Sequence, residues 1–406
     1  MDAGPWMDDV TLLTPGPTPI HPWAAAALAW PMRGHMDPDV FAYNDAIVVD
    51  LRRLYGSGDD AFTCLLAGSG SLAMESGMAN LLAPGERVLV GSNGVFGERM
   101  AEMARRMGAE VEVVRAPPGE PLDPEALRRA AQARAPKVLA FVHGETSTGV
   151  LNPLPALTQV AAEVDALVSV DGVTTVGMGP FEMAAHGIDY AYTGSQKCLS
   201  APPGLAPVAY SHRALAAVAA RATPVQSWYA DVLSIERYWR AGEGGRQYHH
   251  TVPIHLHWAT GEAIRAALHE GLEARAERAA GLGRALLRAL ELAGFRAAVA
   301  AEHRLPTVLA VRLPDGVDDE PMRTLLRRED GISLAGGLGP TTGLVWRLGL
   351  MGEAARVSPY RRLVRVLARR LRAPALLDAF DEACVEERLI DAAPPVALPE
   401  ASAATA

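Results

Sequence analysis

From about residue 60 onward, short apolar runs alternate with stretches whose apolar positions recur at helical spacing. "AFTCLLAGSG" (61–70) predicts a buried strand ending in a glycine turn, and "SLAMESGMANLLAPG" (71–85) predicts the helix after it, stopped by Pro84 and Gly85. "RVLVGS" (87–92), "AEVEVVR" (109–115), "KVLAFVHGE" (137–145) and "ALVSVDGV" (166–173) predict further buried strands, most of them spaced by helix-like segments. That order predicts an α/β fold with a mostly parallel sheet. After about residue 258 come long segments of Ala, Leu and Arg, then strands at "TVLAVRLP" (307–314) and "LVWRLGLMG" (344–352), which predict a smaller α+β domain. Residues 14–19, "TPGPTP", exclude a helix, because Pro lacks the amide donor and Gly is costly to order. The expected division is an extended arm over 1–20, a large domain over 21–270, a small C-terminal domain over 271–385 and a tail over 386–406. The tail's Ala- and Pro-rich composition predicts disorder.

At 406 residues with 49% apolar content, the chain is long enough for one large core and a smaller one. Its net charge of -9 argues against nucleic acid, which is bound mainly through clustered basic side chains. Three cysteines, Cys64, Cys198 and Cys384, lack CxxC spacing and predict neither a disulfide framework nor a zinc knuckle. The acidic start "MDAGPWMDD" and the absence of an eighteen-residue uncharged apolar run predict a cytoplasmic protein with no membrane partner.

Candidate chemistry gathers where the strands end, which in open parallel sheets is where ligands bind. Ser69, Gly70 and Ser71 fall at a strand-to-helix turn, where unpaired amides and the helix dipole favour a phosphate, although such a turn is also an ordinary helix cap. Asp171 ends a nearly continuous apolar strand, a costly place for a carboxylate without partners. Lys197, in "TGSQKCLSAPPG" (193–204), is one of two lysines against thirty-six arginines. A primary amine can form a Schiff base, whereas a guanidinium stays protonated. Phosphate nest, buried carboxylate and lysine together point to pyridoxal 5'-phosphate: the aldehyde needs the lysine, the ring nitrogen the carboxylate, and the phosphate the nest.

On these residues the chain resembles the class V, fold-type I aminotransferases, and most closely the alanine:glyoxylate and serine:pyruvate aminotransferase group. The matching stretches are "TPGPTP", "GSGSLAMES", "LAPGERVLVGSNGVFGERM", "HGETSTGVLNP", "VDGVTT", "GIDYAYTGSQKCLSAPPG", "YHHTVP" and "GLGPTTGLVWRLGLMG". The resemblance implies that Lys197 carries the cofactor and that Asp171 pairs with the pyridine nitrogen. It implies phosphate contacts from Ser69, Gly70, Ser71 and Gln196, a stacking ring at Phe96, and a hydroxyl near the phenolic oxygen at Thr146. Tyr248 and Thr251 match phosphate ligands that the family takes from a neighbouring subunit, which implies a homodimer with shared active sites. Arg347 matches the arginine that grips the substrate α-carboxylate. The implied reaction is ping-pong transfer of an amino group from a small amino acid to a 2-oxo acid such as glyoxylate or pyruvate. Ser71 stands where the animal glyoxylate enzymes have histidine, and Phe96 where they have tryptophan, so the pocket wall differs.

Other signals have plainer readings. Trp228, Tyr229, Tyr238 and Trp239 are expected as core or dimer contacts, or as the wall of a wider entrance for a larger donor. His249, His250, His255 and His257 lack a supporting cysteine or carboxylate and predict no metal site. The basic run "RRLVRVLARRLR" (361–372) fits a helix packed on the small domain with its arginines in solvent. The competing functions are a lyase or an unusual-donor transaminase on the same fold, and a catalytically retired scaffold. Joint retention of Lys197, Asp171 and Arg347 argues against retirement.

Overall fold

Seven strands build the central sheet of the computed structural model, which describes residues 10–242 and 244–389. The first nine residues of the expected arm and the expected tail from residue 390 on lie outside the described residues; the last helix, Ala375–Glu386, runs to the first position assigned to that tail. In spatial order the strands are Phe62–Ala67, Leu205–Tyr210, Tyr190–Tyr192, Leu167–Asp171, Val138–Val142, Arg87–Ser92 and Glu110–Arg115. Leu205–Tyr210 is antiparallel to both neighbours, and the remaining pairs are parallel.

Helices on both faces explain why the inner strands read as unbroken apolar runs: Arg87–Ser92, Val138–Val142 and Leu167–Asp171 are buried at every position. The edge strand Glu110–Arg115 instead alternates exposed with half-buried residues, and its charged outer positions blunt pairing with another chain. The expected strand over 137–145 stops at Val142. Gly149, at a φ of 79°, turns the chain back, so that Gly144–Glu145 pairs with Val150–Leu151 in a separate two-stranded ribbon.

A second, antiparallel sheet joins Arg296–Ala297, Val308–Arg312, Val345–Gly349 and Ala335–Gly336 in that order. Its apolar residues share a buried cluster with the helices Leu272–Glu291, Val357–Arg370 and Ala375–Glu386, apart from the cluster under the central sheet. In Val357–Arg370 the residues Leu363, Val364 and Leu367 face that cluster. The basic face is more organised than a solvated stripe, for Arg369 and Arg370 both pair with Asp330, and Arg361 pairs with Asp381.

The arm is tied to both halves. Thr11–Leu12 pairs in parallel with Ile332–Ser333, and the Gly349 amide donates to the Leu13 carbonyl at 2.9 Å. Further along, the Thr18 hydroxyl donates to the Lys197 carbonyl at 3.0 Å. Among the described residues no helix is long and apolar enough to cross a membrane.

Candidate active site

Asp171 is the last residue of its strand and is buried with it. Its carboxylate accepts from the Val173 amide at 2.8 Å and from the Tyr192 hydroxyl at 2.9 Å. Burial pushes the Asp171 carboxyl up to about 6, against the pull of those two donors. The neighbouring strand, Tyr190–Tyr192, leads into the turn that carries Lys197. That turn is pinned by the Ser195 amide on the Leu205 carbonyl at 3.0 Å and by the Ser195 hydroxyl on the Pro202 carbonyl at 2.6 Å.

Lys197 Nζ donates to the Pro15 carbonyl at 2.6 Å. Burial lowers its pKa most; the Arg347 and Arg99 guanidiniums act in the same direction, while Cys198 and Asp171 oppose them. A neutral carbonyl as the hydrogen-bond partner, in place of a carboxylate, leaves this amine free to lose its proton.

At the end of Phe62–Ala67 the chain turns into the helix Gly70–Leu81 with Ser69 as its cap residue, and the Ser69 side chain makes no capping bond. The Gly70 and Ser71 amides take no hydrogen-bond partner among the described residues. Gln196 Oε1, which also lines the cavity, is buried without a partner among the described residues. Such groups are costly to leave unmet, so together they form an acceptor-and-donor cradle for a polar ligand.

The helix Val95–Arg106 presents Phe96. Glu145, fully buried, accepts from the amides of Phe96 and Gly97 at 3.2 and 3.3 Å, and the Ser147 hydroxyl accepts from the Val95 amide at 2.9 Å. Burial raises the Glu145 carboxyl, opposed by these amides and by Ser147. Between these two residues, the Thr146 hydroxyl donates to Thr174 Oγ1 at 3.4 Å, and the Thr146 carbonyl accepts from Arg347 Nη1 at 3.2 Å. Arg347 Nε donates to the Gly336 carbonyl at 2.9 Å, and Nη2 makes no hydrogen bond among the described residues.

Ser69, Gly70, Ser71, Phe96, Thr146, Asp171, Gln196 and Lys197 therefore line one cavity of about 190 Å³. Arg347 is outside its lining but near enough to act on the Lys197 charge. Tyr248 and Thr251 are not brought in: both are exposed, Tyr248 by 62%. Sequence reasoning missed three contributors: Arg99, which lines the cavity, Glu145, which braces Phe96, and the Pro15 carbonyl. Glu145 carried a readable signal in "HGETS", an acid at the end of a buried strand, whereas the Pro15 contact had none.

Among the aromatic residues of 225–247, Tyr238 and Trp239 are core, while Trp228 and Tyr229 are exposed. Trp228 stacks on His249 at 4.5 Å, and His257 lies buried against Trp239 at 5.6 Å. Burial raises the thiols of Cys64 and Cys198, the latter to about 12, which makes poor nucleophiles of both.

A depressed lysine, a buried carboxylate and an unmet polar cradle on the carboxyl edge of one sheet are the donor set that pyridoxal phosphate requires, and the residues fit it. The aminotransferase class-V family model matches residues 61–362, and the chain belongs to that family. It is a pyridoxal-phosphate-dependent transaminase. It is 35% identical over 359 residues to the alanine–glyoxylate aminotransferase of Drosophila melanogaster, covering 88% of this chain and 91% of the relative. Among solved structures, alanine–glyoxylate aminotransferase from Nostoc sp. superposes with a TM-score of 0.85 at 38% identity, covering 92% and 96% of the two chains. Ureidoglycine–glyoxylate aminotransferase from Bacillus subtilis superposes with a TM-score of 0.89 at 32% identity, covering 93% and 98%.

Proposed function

We propose that this enzyme moves an amino group from a small amino acid of the alanine or serine type to glyoxylate or pyruvate in two half-reactions at the Lys197 cavity. The observation that carries the site assignment is the convergence of Lys197 and Asp171 with the unpaired amides of Gly70 and Ser71 on one cavity. The substrate assignment is supported by the alanine–glyoxylate aminotransferases of Drosophila and Nostoc.

When bound, pyridoxal phosphate supplies an aldehyde that takes up the amine covalently and a ring that draws electrons from the substrate α-carbon. Ser69, Gly70, Ser71 and Gln196 hold its phosphate, and Phe96 and Thr146 orient its ring. Asp171 keeps the proton on the ring nitrogen, a task for which the paired donors Val173 and Tyr192 hold the carboxylate still. Arg347 binds the substrate α-carboxylate through its unengaged Nη2 edge. Lys197 Nζ, its pKa lowered by burial, would take the proton from the substrate α-carbon and hold it for return. The same residues in reverse order deliver the amino group to the 2-oxo acid.

Tyr248 and Thr251 act from a second copy of the chain, a reading supported by their exposure within one chain. The two buried clusters support a large domain over 21–270 and a small one over 271–385, although the second cluster also takes in Leu13, Met178 and Cys198, and the cavity is lined from the large domain. Acidic charge and buried cysteines suit work in the cytoplasm. A second reading, a bulkier amino donor, is favoured by the likeness to the ureidoglycine enzyme. Borohydride reduction of the holoenzyme followed by peptide mapping tests the assignment: a pyridoxyl group is expected on Lys197, and a label on any other residue contradicts it.

A further inference from the structure

Among the described residues, Arg99 is the one basic side chain lining the cavity besides Lys197, and none of the tasks of amino transfer proposed for the other lining residues falls to it. It lies one turn beyond Phe96 on the same helix, with its guanidinium carbon 4.8 Å from the centroid of the Phe96 ring. Nη1 donates to the Ser71 hydroxyl at 3.2 Å, at the turn whose amides lack partners. The other arginines of this helix are matched with acids: Arg105 and Arg106 with Glu102. Glu98, adjacent to Arg99 in sequence, turns away to Arg115 instead. Arg99 thus takes part in no ion pair among the described residues, although acids are close along the chain. Its charge reaches inward, where it disfavours protonation of Lys197 and favours ionisation of Tyr192.

A phosphate dianion taken out of water is poorly served by amides and hydroxyls alone and calls for a cation. Lys197 cannot serve as that cation while its amine is engaged with the substrate or with the aldehyde. Arg347 is held at the other side of the site by the carbonyls of Gly336 and Thr146. We propose that Arg99 is the cation of the phosphate subsite, reaching past Ser71 to pair with the cofactor's phosphate. A guanidinium suits this task because it stays charged and offers two parallel donors to phosphate oxygens. Stacking on Phe96 orders it beforehand, so that the residue that steadies the ring and the residue that neutralises the phosphate are set by one helical turn.

The proposal rests on the reading of the Ser69–Ser71 turn as the phosphate site, and the test separates the two. Dissociation constants for pyridoxal 5'-phosphate and for pyridoxal, which lacks the phosphate, are measured by tryptophan fluorescence on cofactor-stripped wild type, Arg99→Gln and Arg99→Lys. The expected result is a loss of about tenfold or more for the phosphorylated form in Arg99→Gln, an unchanged value for pyridoxal, and partial recovery in Arg99→Lys. Equal loss for both ligands in Arg99→Gln would show that Arg99 acts through Phe96, and no loss for either, or a rise confined to the KM of the amino acid, would also overturn the proposal. If wild type binds pyridoxal as tightly as its phosphate, the phosphate site itself is misplaced and both readings fall.

Discussion

Lys197 Nζ meets the Pro15 carbonyl oxygen at 2.6 Å across 182 positions of the chain. The lysine is therefore held by a backbone group of the N-terminal arm, which is itself fixed on the small sheet through Leu13 and Gly349. Gly16, next to that carbonyl, has a φ of 87°, and a Cβ there would lie 2.4 Å from Lys197 Cδ.

Gly16→Ala strains the backbone and pushes the lysine from its place. A stability loss of about 1–3 kcal/mol is expected, as for other non-glycine residues held at positive φ. Turnover should fall more than stability alone explains, because the displaced atoms belong to the residue that moves the proton. Thermal unfolding and steady-state kinetics on the same variant check both parts.

Lys197→Arg keeps a positive charge and removes the amine. Loss of turnover on the order of 10³-fold or more is expected, with the fold retained. Far-ultraviolet circular dichroism and amino-transfer assays check this together.

Much of this was legible in the chain. Arg87–Ser92 and Leu167–Asp171 announced themselves because strands buried under helices must be continuously apolar, Glu110–Arg115 through its valines although its charged positions mark it as an edge strand and not a buried one, and Lys197 because the chain writes nearly all its cations as arginine. Leu205–Tyr210 gave no such signal: Pro207 sits within it, and proline lacks the amide that a central strand ordinarily donates. Its carbonyl is nonetheless used twice, by the Thr193 amide and the Tyr55 hydroxyl. Arg99 was hidden among thirty-five other arginines, since one exposed cation on an amphipathic helix looks like any other until the fold places it beside Ser71.

Asp171→Asn should stabilise the cofactor-free protein while abolishing catalysis. The carboxyl's ordinary value of 3.8 rises to about 6 on folding. Between those values the folded chain keeps a proton that the unfolded chain has lost, so this group's contribution to stability falls as pH rises through that window. Asparagine carries no such charge. The variant should therefore gain on the order of 3 kcal/mol over wild type at a pH of about 8, with the gain fading toward a pH of about 4. Thermal denaturation at both pH values checks the sign, and an equal difference at the two contradicts it.

Arg347→Lys retains charge but loses the planar fork. An increase in the KM of the amino donor of about tenfold or more is expected, with a smaller change in kcat, measured by initial rates over a range of donor concentration.

Tyr248→Phe removes a hydroxyl from a residue that is 62% exposed within one chain. If that hydroxyl reaches a partner's phosphate, affinity for pyridoxal phosphate should fall by about tenfold, as for other hydrogen bonds to charged groups. Equilibrium dialysis alongside sedimentation velocity relates the loss to dimer formation.

The transaminase assignment is tested most directly by the visible spectrum of the purified holoenzyme during titration with alanine, serine and glycine, followed by glyoxylate or pyruvate. The expected result is a yellow protein that bleaches as the cofactor takes up the amino group and regains its colour when the 2-oxo acid removes it. A protein that stays colourless after loading with pyridoxal phosphate, or one that bleaches and does not recover with any 2-oxo acid, would contradict transamination at Lys197.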